Sequence, residues 1–311
     1  MLFKTLVYLL LIIVILLHPE ATFQYAYEGL YQWAVKMVPT LFPFMMISSI
    51  MVYSGADLEL GRMLSIPLKR IYRYSVYGLY AIFMGFFCGF PMGAKVVSEL
   101  YGKKKLSKTE AISLLGFCNN IGPAYFLGII IPILHACGYH NTLPFLFGMY
   151  GIPAVYGIVL SRRFAKEKPH IISGKMMQPH EPRKPLSLTD CLKRACTENT
   201  QSLIMLGGYI TFTNVFRIFL DFFRLSDSIK RVLSSFLEIM GGVQTVYTST
   251  LCPKQKILWI MTALSFSGIS CLMQTSSFLE RAKLPLAAYI KNKVVVTIVS
   301  FFYYTVILYA L

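Results

Sequence analysis

Acidic side chains are scarce in this 311-residue chain: 14 Asp and Glu stand against 30 Lys and Arg. Charged residues of both signs make up only 14% of it, while 56% are hydrophobic and the mean hydropathy is +0.59. So little charge excludes an ordinary soluble surface and points to a polytopic membrane protein. The seven cysteines (Cys88, Cys118, Cys137, Cys191, Cys196, Cys252, Cys271) form no C-x-x-C pair, and most lie inside apolar runs. They read as small buried hydrophobes rather than as a disulfide framework or a zinc site. The five histidines (His18, His135, His140, His170, His180) lack ligand spacing, so no metal site and no cofactor is expected. No H-E-x-x-H, paired aspartates or Ser/His constellation occurs in the apolar spans, which argues against an intramembrane enzyme. The first span, Leu2 to Leu17, carries Lys4 but is followed by His18-Pro19-Glu20-Ala21 and not by an A-x-A cleavage site. It is expected to remain as a membrane helix.

The net charge of +16 lies in short loops between apolar spans, which fits membrane orientation and not nucleic-acid binding. Glu20, Gln24, Glu28, Gln32 and Lys36 recur every four residues among aromatics. They predict an amphipathic helix lying in the interface, or a short packed connector, ahead of a span over Val38 to Tyr53. Tyr77 to Phe90 is apolar but short. It breaks at Gly89-Phe90-Pro91-Met92-Gly93-Ala94-Lys95 and resumes up to Lys103, Lys104, Lys105 and Lys108. Positive charge on both flanks predicts a hairpin that returns to the side it entered from. Glu110 to Leu134 follows, interrupted at Phe117-Cys118-Asn119-Asn120-Ile121-Gly122-Pro123, and Leu143 to Leu160 leads to a basic, proline-bearing linker. Thr200 to Phe216 then crosses. A second break, Glu238-Ile239-Met240-Gly241-Gly242-Val243-Gln244, is followed by Phe266-Ser267-Gly268-Ile269-Ser270 inside the apolar segment Ile257 to Leu279.

A shift of 149 positions superposes Gly93 on Gly242, Val97 on Val246, Leu115 on Leu264 and Phe117 on Phe266. One crossing separates the copies, so the second is expected inverted. The expected fold is therefore all-α: a polytopic membrane protein with inverted repeats, two re-entrant hairpins and discontinuous transmembrane helices. Its divisions are N-terminal helices over 1–76, a first repeat over 77–161, the basic linker and a connecting helix over 162–228, and a second repeat over 229–311.

A helix broken at membrane depth exposes N–H groups at one new end and C=O groups at the other, which hold ions or polar solute groups. The expected substrate-binding residues are Gly89, Pro91, Gly93, Lys95, Asn119, Asn120 and Gly122 from the first copy. Glu238, Gly241, Gly242, Gln244, Ser267, Gly268, Ser270 and Gln274 come from the second. Lys95 either meets an anionic solute or snorkels to the headgroups. Glu238 pairs with a cation, carries a coupling proton, bonds a solute donor or serves as a buried structural partner. Asn119 and Asn120 either touch solute or cap the break.

These stretches resemble a known family. Gly89-Phe90-Pro91-Met92-Gly93-Ala94-Lys95 is similar to the "G-Y-P-x-G-A-K" stretch of the sporulation integral membrane proteins of the YlbJ type. Glu110 with Phe117 to Pro123 resembles their "E-…-F-x-N-x-x-x-P" stretch, and Pro39-Thr40-Leu41-Phe42-Pro43-Phe44 their "P-S-L-L-P-F" helix start. Glu238 with Gly241 or Gly242, and Phe266 to Ser270 with Gln274, carry the resemblance into the second half. Cys118 stands where the family often has Thr. The resemblance implies a nucleoside-recognition Gate fold related to concentrative nucleoside transporters. It also implies export of the aromatic dicarboxylate dipicolinate in the bacterial cell membrane, in particular the mother-cell-derived forespore membrane. The expected function is thus a transporter or facilitator for a small anionic aromatic solute in spore formation. The alternatives are a cation-coupled nucleoside transporter and a non-transporting scaffold for the spore envelope. The expected partners are that solute and the lipid bilayer, with homo-oligomerisation left open and nucleic acid excluded.

Overall fold

A computed structural model describes residues 2–167 and 187–310. The linker residues Lys168, Pro169, Lys175, Pro179, Pro182, Arg183, Lys184 and Pro185 lie outside the described residues. Among those described, every regular element is helical, and five helices are long and apolar enough to cross a membrane. The surface is apolar where a soluble protein would be polar. On the last helix Ile298, Phe302 and Val306 recur every four residues and are 51%, 62% and 62% exposed. Polar groups are turned inward instead, including Lys95, Glu110, Asn119, Glu238 and Lys293. An apolar exterior of this kind is matched by lipid.

α1 spans Leu2–Leu17 and is mostly exposed. α2 runs unbroken over Pro19–Ser54, a 36-residue helix. This corrects the expectation of an interfacial helix over Glu20–Lys36 set apart from the following span. A widened turn over Gln32–Met37 carries the helix into Pro39 and Pro43; these prolines lack the N–H that a regular turn would use. Of the polar stripe, Glu28 meets Arg217 at 2.7 Å and Gln32 is buried, while Glu20, Gln24 and Lys36 stay exposed; beside it the Trp33 indole donates to the Leu203 carbonyl at 2.8 Å. α3 follows over Ala56–Leu68.

The first half continues with α4 (Val76–Cys88), α5 (Met92–Gly102), α6 (Lys108–Leu115), α7 (Pro123–Ala136) and α8 (Leu143–Ala165). Serine caps begin two of them: Ser75 accepts from the Gly78 N–H and Ser107 from the Glu110 N–H, each satisfying an end donor of its helix. α9 spans Leu188–Val215, starting earlier than the apolar run beginning near Thr200 because Ser187 caps it by accepting from Asp190 N–H. After the short α10 (Ile218–Phe222) come α11 (Asp227–Leu237), α12 (Ile239–Tyr247), α13 (Pro253–Phe266), α14 (Gly268–Arg281) and α15 (Leu286–Ala310). Basic residues of this stretch find acidic partners, Lys230 with Asp221 at 3.8 Å and Arg231 with Asp227 at 2.6 Å.

Both halves thus follow the order helix, break, helix, loop, helix, break, helix. Cys88 and Leu237, which end α4 and α11, are 149 positions apart. Two buried apolar clusters hold the elements. One gathers α2, α4, α5, α6 and the end of α14; the other gathers α7, α8, α12, α13 and α15.

Candidate functional site

The four breaks converge. The α4–α5 pair turns at Gly89, whose φ of +81° suits glycine. A methyl group added there would stand 2.5 Å from the Gly122 nitrogen, so this turn packs directly on the α6–α7 break. In the second half, Gly268 (φ +74°) opens α14 beside Ile239, the first residue of α12. Around these junctions lies a cavity of about 400 Å³. Its wall is mostly apolar and aromatic, with Phe44, Phe87, Phe90 and Tyr125 among the lining residues, and the widened turn of α2 closes one side. Polar groups are few: Lys36, Thr40, Glu238, Ser270 and Gln274. A concave apolar site with a few placed polar groups is the usual form of a small-molecule pocket.

The two turns are capped differently. Glu238, 2% exposed, accepts from the Met240 N–H at 2.9 Å and the Gly241 N–H at 2.7 Å. Its carboxylate therefore occupies the α12 N-terminus, where the helix dipole favours negative charge. The α5 N-terminus has no such group of its own. Asn119 supplies one from the α6–α7 break, its carbonyl oxygen accepting from the Ala94 N–H at 3.3 Å. The same side chain donates to the Tyr289 hydroxyl at 2.9 Å and to Thr275 Oγ1 at 3.2 Å, joining the first half to α15 and α14.

The predicted residues separate into groups. Gly89, Gly122, Glu238, Ser270 and Gln274 line the cavity, and the Gln274 amide donates to Ser270 Oγ at 3.1 Å. Pro91, Asn119 and Asn120 sit at the first turn and break; Pro91 precedes α5, and the Asn120 amide donates to the Phe117 carbonyl at 2.6 Å. Gly93, Gly241, Gly242, Ser267 and Gly268 do not line the cavity. A methyl on Gly93 would lie 3.0 Å from Asn119 Cα, and one on Gly241 would lie 2.5 Å from the Gln32 amide nitrogen, so these glycines admit close packing. Gly242 abuts Ser235 in the same way. Ser267 is buried at the α13–α14 junction with a φ of +78°. Gln244 is exposed on α12, away from the cavity. Lys95 also lies outside it; its ammonium donates to Ser49 Oγ at 2.9 Å and meets Glu99 at 3.5 Å.

Lys293 is not among the substrate-binding residues expected from the sequence. The structure puts it within α15, 4% exposed. Its ammonium donates to the Asn119 carbonyl at 2.8 Å and stands 4.7 Å from the centre of the Phe90 ring, behind the cavity wall. Among the described residues no carboxylate lies within ion-pair distance of it. The available signal was its place at the start of the terminal apolar run, where a helix carries a basic residue inward. Glu110 also has a defined part, accepting from the Ser75 N–H at 2.7 Å beneath the start of α4.

The chain is similar to the sporulation integral membrane protein YlbJ of Bacillus subtilis (strain 168), with 25% identity over 309 positions that cover 88% of this chain and 74% of that protein. No family model matches the chain, and no solved structure matches it. The similarity along the chain supports a YlbJ-type assignment, and with the apolar helices it identifies an integral membrane protein.

Proposed function

We propose, from that YlbJ-type assignment, that the chain is a transporter or facilitator for a small anionic aromatic solute, of the dipicolinate kind, acting in spore formation. The convergence of four interrupted helices on one cavity of about 400 Å³ carries this proposal. Its aromatic wall suits a flat ring, and its few polar groups suit the ring's substituents. Lys36 on the wall and Lys293 behind Phe90 supply positive charge for a carboxylate, while the Glu238 charge is already met by two helix N–H groups.

In this proposal α4–α5 and α11–α12 are re-entrant hairpins. Their arms have 13, 11, 11 and 9 residues. At 1.5 Å per residue the longest reaches about 20 Å, short of the ~30 Å hydrocarbon core. The two halves then form inverted, Gate-like repeats that rock around the cavity. Carboxylate and amide acceptors at Glu238 and Gln274 favour, as a second reading, a hydroxyl-bearing solute such as a nucleoside.

Flux in proteoliposomes tests the proposal, with labelled pyridine-2,6-dicarboxylate and labelled uridine compared. The dicarboxylate is expected to cross and Ser270→Phe, which fills the cavity, to stop it. Uridine flux alone would favour the second reading. Absence of both fluxes, with normal spores from the Ser270→Phe variant, would leave a membrane scaffold.

A further inference from the structure

A second pocket, of about 210 Å³, lies away from the convergent breaks, between α5, α9 and α14. It sits at the end of the bundle where Lys103 and Arg281 emerge. Its lining includes Lys95, Ser98, Glu99, Glu198 and Arg281, with Phe278 as an apolar wall.

Its carboxylates are engaged, whereas two of its donors, Arg281 and Ser98, meet no strong acceptor. Glu99 is shared by Lys95 at 3.5 Å and Lys103 at 3.0 Å. Glu198 accepts from the Tyr53 hydroxyl. By contrast, the Arg281 guanidinium meets no carboxylate within ion-pair distance among the described residues; it donates to the Met205 sulfur at 2.8 Å, a weak acceptor. The Ser98 hydroxyl is 7% exposed and has no hydrogen-bond partner. A buried polar group without a partner calls for a ligand or water. The lining carries two cations (Lys95, Arg281) and two carboxylates (Glu99, Glu198), and Lys103, which is outside the lining, pairs with Glu99 at 3.0 Å.

We propose that this pocket is a separate binding site for a small monocarboxylate, its oxygens held by Arg281, Lys95 and the Ser98 hydroxyl and its apolar body against Phe278. Arginine holds a carboxylate with two parallel N–H bonds, and a hydroxyl donor adds a third. Such a site takes up an anionic solute before, or apart from, the convergent cavity, and it does not depend on that cavity carrying cargo.

Equilibrium binding to the purified protein tests it, with benzoate as probe and benzamide as the uncharged isostere at constant ionic strength. Benzoate is expected to raise the melting temperature in a concentration-dependent way and benzamide to leave it unchanged. Arg281→Gln should weaken benzoate by about tenfold or more, and Ser98→Ala by about threefold, in line with charge-assisted and neutral bonds. Gln274→Leu, in the convergent cavity, should leave the Arg281-dependent part of benzoate binding as it is. Arg281 is exposed at the rim, so its variant carries the test even where Lys95→Met fails to fold. No benzoate effect on the unaltered protein, full binding by Arg281→Gln, or loss of the Arg281-dependent binding in Gln274→Leu would each overturn the proposal. Benzoate binding by a protein that moves no solute would uphold this site and remove the carrier reading instead.

Discussion

The first and second turns meet one physical demand, the satisfaction of a buried helix N-terminus, by opposite means. The second turn caps itself with the Glu238 carboxylate, from within its own segment. The first borrows the neutral Asn119 amide from the next helix pair, and that amide also holds Thr275 and Tyr289 from the other half of the molecule. A self-capped turn is a local unit. A borrowed cap makes the first turn, the α6–α7 break and the α14–α15 pair a single cooperating set. Movement of the first hairpin therefore costs inter-half hydrogen bonds, whereas movement of the second leaves its cap intact.

Replacing the two caps is the strongest way to break that contrast. Asn119→Leu strips the Ala94 N–H, Thr275 and Tyr289 of a partner at once. With about 1–3 kcal/mol for each buried group left unpaired, the expected loss is at least about 3 kcal/mol. Unfolding in mixed micelles would read it. A larger loss for Glu238→Ala than for Asn119→Leu would contradict the asymmetry.

Gly89 and Gly268 sharpen it at the next level. Both have positive φ, but a methyl on Gly89 meets the Gly122 backbone nitrogen at 2.5 Å, whereas one on Gly268 meets the Ile239 side chain at 3.0 Å. Backbone cannot yield and a side chain can. Gly89→Ala is expected to cost about 3 kcal/mol and Gly268→Ala about half that, from strain plus overpacking. Equal melting temperatures for the two variants would remove the distinction. Smaller again is Glu238→Gln, which keeps one acceptor oxygen at the α12 N-terminus. A loss of about 1 kcal/mol is expected from the cap and dipole. Should uridine affinity fall tenfold or more at that modest cost in stability, the Glu238 carboxylate contacts solute as well as capping.

The places where helices stop were legible because a break has a local cause. Gly89, Pro91, Asn119, Gly122, Glu238 and Gly268 each carry a backbone preference or a capping group, and the α4, α6, α11 and α13 helices end at or shortly before them. The groups that surround a break were less legible, because they arrive from far along the chain. The widened turn of α2 reads locally as an amphipathic surface, yet Val35, Lys36 and Met37 close the cavity, and the Trp33 indole ties the turn to the Leu203 carbonyl of α9. Lys95, next to a break in sequence, projects one turn onward to Ser49 and Glu99 and belongs to another pocket. Adjacency in sequence fixes where a helix begins and does not fix which face its side chains take.

Lys293 supplies the smallest expected change in stability and the finest test of the contrast between the halves. Its ammonium belongs to the second half but rests on the Asn119 carbonyl and the Phe90 ring of the first, with no carboxylate in ion-pair reach among the described residues. Holding a lone cation in a low-dielectric interior is unfavourable, and the carbonyl bond and ring contact offset only part of that. Lys293→Met keeps the length, removes the charge and leaves one carbonyl without its donor. These opposed effects place the net change within about 1 kcal/mol of zero, far from the loss at Asn119 whose carbonyl it serves. Affinity for pyridine-2,6-dicarboxylate should nevertheless drop at least tenfold, with uridine unaffected. A severe loss of stability with unchanged dicarboxylate affinity would make Lys293 a brace between the halves and not the charge that an anionic cargo meets.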